Sequence, residues 1–169
     1  MIDPLPSHAK EAGAMRKRLA VIAGTVLALM TPTAAMAGGD IDNLWDPAAC
    51  SNPDTSAFKF HLYYNSGQNG AYRNIGYNVY NFDVLWNGNN SPGGGTKLRY
   101  CILGASNPWP GSNQPVKNNA ASGTNDHYKY KARVHFNSGY GGPKDIMNPY
   151  QHIDRFRYVY NENASFSWA

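Results

Sequence analysis

An all-β fold is predicted by three observations. Tyrosine, glycine, asparagine and proline are plentiful, strong helix formers are few, and no long stretch of the mature part carries a helical apolar period. Short runs alternate apolar and polar residues instead, as half-buried strands do. A turn pattern that begins at Tyr64 returns at Phe136.

The elements follow in chain order. Arg16-Lys17-Arg18 is a basic start, Leu19 to Met30 is an apolar run broken only by Gly24 and Thr25, and Ala35-Met36-Ala37 is a small-residue cleavage site. Together they read as a secretion signal, with translation starting at Met15 and cleavage after Ala37. Met1 to Ala14 has no place in such a signal. The apolar core of about a dozen residues falls short of the roughly 20 that span a bilayer, so no membrane association is expected. The predicted organisation is a leader at 1–37, an N-terminal arm at 38–57 and a β domain at 58–169 with an insertion at 100–130.

Residues 38–169 suit one compact domain, monomeric when free. Loss of the leader removes four basic and two acidic residues and lowers the net charge from +4 to +2. The remaining lysines and arginines are scattered rather than clustered with aromatics, so nucleic acid is not an expected partner. Cys50 and Cys101 are the two cysteines of an exported chain and predict a disulfide. Closing that loop stabilises the fold by about 4 kcal/mol on a chain-entropy model. A C-x-x-C spacing is absent and no histidine adjoins either cysteine, which speaks against a metal or redox site.

Beyond the arm, Phe60, Leu62 and Tyr64 share one face of a strand and Ala132, Val134 and Phe136 share one face of another. His61 and His135 are expected on the opposite, outward faces. Alternation recurs at Leu98, Tyr100 and Ile102 and at Phe156, Tyr158 and Tyr160, with turn clusters at Asn87 to Gly95 and Asn137 to Pro143. The two clearest strands open a repeat. Tyr64-Asn65-Ser66-Gly67-Gln68-Asn69-Gly70 aligns with Phe136-Asn137-Ser138-Gly139-Tyr140-Gly141-Gly142, and Trp86 to Ser91 aligns with Tyr160 to Ser165. Gly70 and Gly142 supply the positive φ that a folded hairpin needs. Ser91 and Ser165 stand at matched distances to hydrogen-bond it.

On these residues the chain resembles the βγ-crystallin-like proteins, whose Greek-key units carry an aromatic, a glycine six positions on and a later serine. The resemblance covers Phe58 to about Arg99 and Lys131 to Trp168. It implies two Greek-key motifs forming one β-sandwich. Among secreted bacterial members the chain looks most like the small crystallin-fold peptidase inhibitors.

Many members of that family bind calcium through paired Asn or Asp followed by Ser/Thr and Ser. Here Asn161-Glu162-Asn163-Ala164-Ser165 runs into Phe166, and Asn87 to Ser91 has Gly88 and Pro92 at required positions. Calcium needs six to eight oxygens, and Glu162 is the only local carboxylate, so Asn161, Glu162 and Ser165 are weak candidates and no cofactor is expected. His61, His127, His135 and His152 show no metal-ligand spacing and no nucleophile motif. Gly93-Gly94-Gly95-Thr96 lacks the lysine and helix of a phosphate loop. No enzyme is expected, and no catalytic residue is assigned.

The remaining expectation is surface recognition. Four tryptophans and twelve tyrosines exceed what a core this small normally hides. An inhibitor-like module would place the disulfide-tethered loop around Pro108, Trp109 and Pro110 in the cleft of a secreted proteinase. An adaptor of a secreted antibacterial toxin complex would dock through the arm, with Asp40, Ile41, Asp42, Leu44 and Trp45 adding to a partner's sheet edge or groove. A carbohydrate-binding module would stack exposed aromatics on sugar rings.

Overall fold

Asn65 to Gly70 turn the chain back on itself because Gly67, Gln68 and Gly70 adopt φ of 73°, 53° and 76°, a region that costs glycine little. The computed structural model describes residues 33–89 and 95–169; most of the expected leader, Met1 to Thr31 and Pro32, lies outside them. The turn joins β1 (Phe60–Asn65) to β2 (Asn69–Ile75). A short ribbon follows, β3 (Leu85–Trp86) with β4 (Gly95–Thr96), then β5 (Ser122–Asn125), β6 (Ala132–His135), β7 (Lys144–Met147), β8 (Gln151–Ile153) and β9 (Ser165–Trp168).

Two antiparallel sheets result, ordered β2-β1-β5-β8 and β7-β6-β9. The halves exchange segments: β8 pairs with β5 of the first half, and Val79 bridges Phe166 of the second. Phe60 and Phe166, one from each inner face, stack at 4.2 Å, with Leu62, Ile75, Val134 and Met147 completing the core around them. The all-β sandwich is as the sequence predicts.

The repeat is geometric as well. Gly139, Tyr140 and Gly142 have φ of 73°, 62° and 76°, matching the first hairpin position by position. Ser165 Oγ donates to the Asn137 carbonyl (2.7 Å) and accepts from the Tyr140 amide (3.1 Å). In the first half the same two bonds, to Asn65 O (2.6 Å) and from Gln68 N (3.1 Å), belong to Ser122. Asn118 and Asn161 both sit at positive φ, and their amides bond reciprocally to Asn163 O and Ala120 O.

These bonds correct the alignment of Ser91, which itself lies outside the described residues. The interposed chain delays the serine of the first motif to position 122. The expected insertion at 100–130 therefore contains β5, the last strand of that motif, and the true interruption ends before Asn118.

Two other predicted strands are not ladders. Leu98 and Tyr100 are buried and bonded to loop carbonyls, while Ile102, placed on their face by alternation, is exposed. Around Phe156 to Tyr160 the buried Asp145 carboxylate accepts the amides of Arg157, Tyr158 and Val159 at 2.8–3.2 Å. Those donors are then not available to a sheet, and Val159 is the core residue there instead of Tyr158.

The arm is also corrected. It is helical, α1 (Thr33–Trp45), continuing past the expected cleavage point at Ala37, and is followed by 3-10 turns at Pro47–Cys50 and Pro53–Thr55. Asp46 and Asn52 cap the two turns, each followed by a proline. Asn43 fastens α1 by accepting from the Gly76 and Tyr77 amides and donating to the Tyr77 carbonyl. Leu44 enters the core, and buried Asp40 accepts from Trp86 N at 2.9 Å. An extended, unengaged arm would leave those groups without partners, which buried polar groups resist.

Candidate functional site

The insertion forms a knob on the first hairpin. It begins at the Cys50–Cys101 disulfide, whose Cα atoms lie 5.6 Å apart, and the Cys101 amide bonds to Tyr72 O on the free edge of β2. Four bonds then fold the loop on itself: Trp109 N to Leu103 O, Asn107 N to Gly104 O, Ser112 N to Trp109 O and Gln114 N to Gly111 O, all 2.7–3.1 Å. Pro110 O accepts from Ala71 N, which docks the loop on β2. Gly111 has φ of 85°, and a Cβ there would meet the Tyr64 ring at 2.2 Å. The loop can sit this low only because position 111 is glycine.

Trp109 is held at the crest of this knob, 49% exposed, between exposed Pro108 and Pro110. It lines a surface cavity of about 470 Å³. Tyr63 and Tyr72, a cross-strand pair with ring centroids 6.3 Å apart, line it as well. The Asn52–Asp54 turn and the hairpin residues Gln68 and Asn69 complete the rim. Burial, reinforced by the nearby Asp126 and Asp54 charges, pushes the Tyr63 hydroxyl up to about 12 against a bond from Thr124, so it stays protonated. The sequence singled out Trp109 but not Tyr63, Tyr72 or Asn52; the Tyr63–Tyr72 pairing depends on hairpin register, which the recurring turn pattern contained.

The arm residues are not gathered into one site. Asp40 and Leu44 are buried, Ile41 and Asp42 are half-buried, and Trp45 is 63% exposed at the end of α1. Burial raises the Asp40 pKa, opposed by the Trp86 amide.

Both strand histidines are buried, contrary to the outward, exposed placement that alternation suggests. For His61 the cover is the 48–51 turn: Asn74 Nδ2 donates to the Ala48 and Ser51 carbonyls, and Asn74 Oδ1 lies 2.7 Å from His61 Nδ1. Asp126 Oδ2 is 3.2 Å from His61 Nε2. Burial lowers the His61 pKa, with Asn74 and Asp126 opposing it. Both ring nitrogens face side-chain oxygens, Nδ1 at hydrogen-bond distance and Nε2 close to the carboxylate without forming a hydrogen bond. His135 meets Ser167 Oγ through Nε2 at 3.0 Å, and burial, then Lys144 and Arg133, bring its pKa to about 4.

The calcium candidates remain poor in ligands. Ser165 Oγ is committed to the second hairpin, and Asn161 takes a turn conformation. Glu162 lines a cavity of about 310 Å³ with Asn118, Asn137 and Lys117, a single carboxylate beside a cation. Among the described residues no group of three or more His, Cys, Asp or Glu could hold a metal ion, and no helix is long and apolar enough to cross a membrane.

No family model matches the sequence, and no curated protein matches it. A solved structure described as "Evolution of the eye lens beta-gamma-crystallin domain fold" is similar, with a TM-score of 0.43 and 12% identity over 66% of this chain and 85% of that chain.

Proposed function

We propose that the chain is a non-catalytic recognition module, exported and oxidised, that binds an extracellular partner through the Trp109 knob. The observation that supports this is a large aromatic side chain left half in solvent on a loop that is tied down by a disulfide, four internal backbone bonds and two backbone bonds to β2. An exposed ring on a pre-ordered loop binds with little further entropy loss. The resemblance noted in the sequence points to a secreted protein as partner, a proteinase in the inhibitor form. The knob is folded rather than extended, so in that form Trp109 fills an enzyme pocket and presents no strand to the catalytic groups. The docked α1 takes away the extended arm on which the adaptor form depended.

Capture from culture fluid on immobilised oxidised protein tests the reading. Trp109→Ala should lose the captured partner, at least tenfold in bound amount, and Trp45→Ala should keep it. Equal capture by both variants, with no proteinase inhibited at about micromolar protein, would overturn it.

A further inference from the structure

We infer that the cavity beside Trp109 is a binding site for a neutral saccharide. The inference rests on the reading of this face as the binding face, and it names the ligand class. Several polar atoms of the rim are already used within the protein, and the rest face a ligand. Asn52 Oδ1 accepts from Asp54 N (3.1 Å), which leaves its Nδ2 as a donor. Asn69 Oδ1 accepts from Gly70 N (2.6 Å), which likewise leaves Nδ2. Gln68 Nε2 donates to Ile153 O (3.0 Å), which leaves Oε1 as an acceptor. With the Asp54 carboxylate the rim therefore offers two donors and two acceptors, and each amide is oriented by a bond to the backbone.

The same lining includes Tyr63, Tyr72 and Trp109. A ligand that satisfies the whole set has apolar faces for the rings and hydroxyls that both donate and accept around its edge. Sugar rings have that combination. A cation would find the aromatic faces and Asp54 but would meet the two amide donors with like polarity. An anion would meet Asp54 and no lysine or arginine in the lining. The volume of about 470 Å³ lies within the usual range for small-ligand sites, roughly 300–1,000 Å³. Because the site is open, a sugar unit can be part of a longer chain, either a polysaccharide or a glycan carried on a protein.

The test is a titration of the oxidised, nitrogen-15-labelled full chain with chitotriose, cellotriose and maltotriose, and in parallel with choline and argininamide. At least one trisaccharide is expected to move the Trp109 indole signal, assigned by its loss in Trp109→Phe, together with the Tyr63 and Tyr72 amides. Trp109→Ala should weaken that binding about tenfold or more and Trp109→Phe by about threefold. Asn52→Ser, which keeps a capping oxygen but removes the amide donor, should weaken it by several-fold while leaving the rest of the spectrum in place. A partner captured through a glycan should be lost after glycosidase treatment, whereas a polysaccharide should compete as the free oligosaccharide does. No response to any trisaccharide at about 20 mM, or tighter binding of choline or argininamide at the same signals, overturns the inference. If capture remains sensitive to Trp109→Ala without any sugar response and survives glycosidase, the saccharide assignment falls while the recognition reading stands.

Discussion

Three residues after each matched glycine the two halves bury opposite charges: Arg73 in the first and Asp145 in the second, paired across the ladder with Leu62 and Val134. Among the described ion pairs neither has a counter-ion. Arg73 donates to the carbonyls of Asn43 and Leu44 at the end of α1 and to Cys50 Sγ, and burial lowers its pKa to about 10. Asp145 accepts three successive amides of the 157–159 segment. One scaffold position thus fastens two unlike segments. A cation suits the carbonyl end of a helix and an anion suits a run of free amides, and the sign of the residue selects which segment docks.

Removing the charges should therefore damage the halves differently. Asp145→Ala strands three amides beside core residues Phe156 and Val159, and it should destabilise the whole domain by about 4 kcal/mol in urea unfolding. Arg73→Ala should cost about 3 kcal/mol, with the first effect being loss of amide protection along residues 39–45. If Arg73→Ala left those amides as protected as before, α1 would be held by Asp40, Asn43 and Leu44 without any contribution from the cation.

A second matched pair differs in the same position-for-position way. Tyr63 and His135 each precede the aromatic of their hairpin, and burial keeps both neutral, raising the tyrosine and lowering the histidine. Folded His135 titrates near 4 against 6.5 in the unfolded chain, so its contribution is complete above pH 6.5 and declines as the pH falls toward 4. Lys144, directly across the ladder, and Arg133 add to the effect of burial. The decline should amount to at most about 3 kcal/mol by pH 4, and His61, also lowered, adds in the same direction. His135→Gln should flatten the dependence of urea midpoint on pH in that window. An unchanged slope would locate acid sensitivity elsewhere.

Much of the scaffold was legible because its signals are local. Phe60, Leu62 and Val134 mark strand faces by alternation, Gly70 and Gly142 mark hairpins by the φ they must adopt, and two cysteines in a chain read as exported leave one pairing. What stayed hidden depends on distant chain. Alternation shows that one face of β1 is covered, but not that the 48–51 turn also covers the face bearing His61. Acidic and apolar residues from Asp40 to Trp45 read as an arm because the carbonyl-binding Arg73 lies far along the sequence. At the candidate site, Trp109 stood out by its place between prolines, whereas the hairpin that pairs Tyr63 with Tyr72 and the turn that carries Asn52 meet it only in the fold.

The smallest expected effect tests the repeat itself. Ser122 and Ser165 are both fully buried, and each makes one donated and one accepted bond to its own hairpin with nearly identical lengths. Replacing either by alanine leaves a carbonyl and an amide without their partner, which should cost about 2 kcal/mol. Equal roles require the two losses in urea unfolding to agree to about 0.5 kcal/mol. Ser91→Ala should fall within that same margin of the parent, since Ser122 already engages the groups that Ser91 was aligned to bind. A loss at Ser91 matching that at Ser165, with Ser122→Ala silent, would restore the sequence alignment and remove the bond pattern as the basis of the repeat.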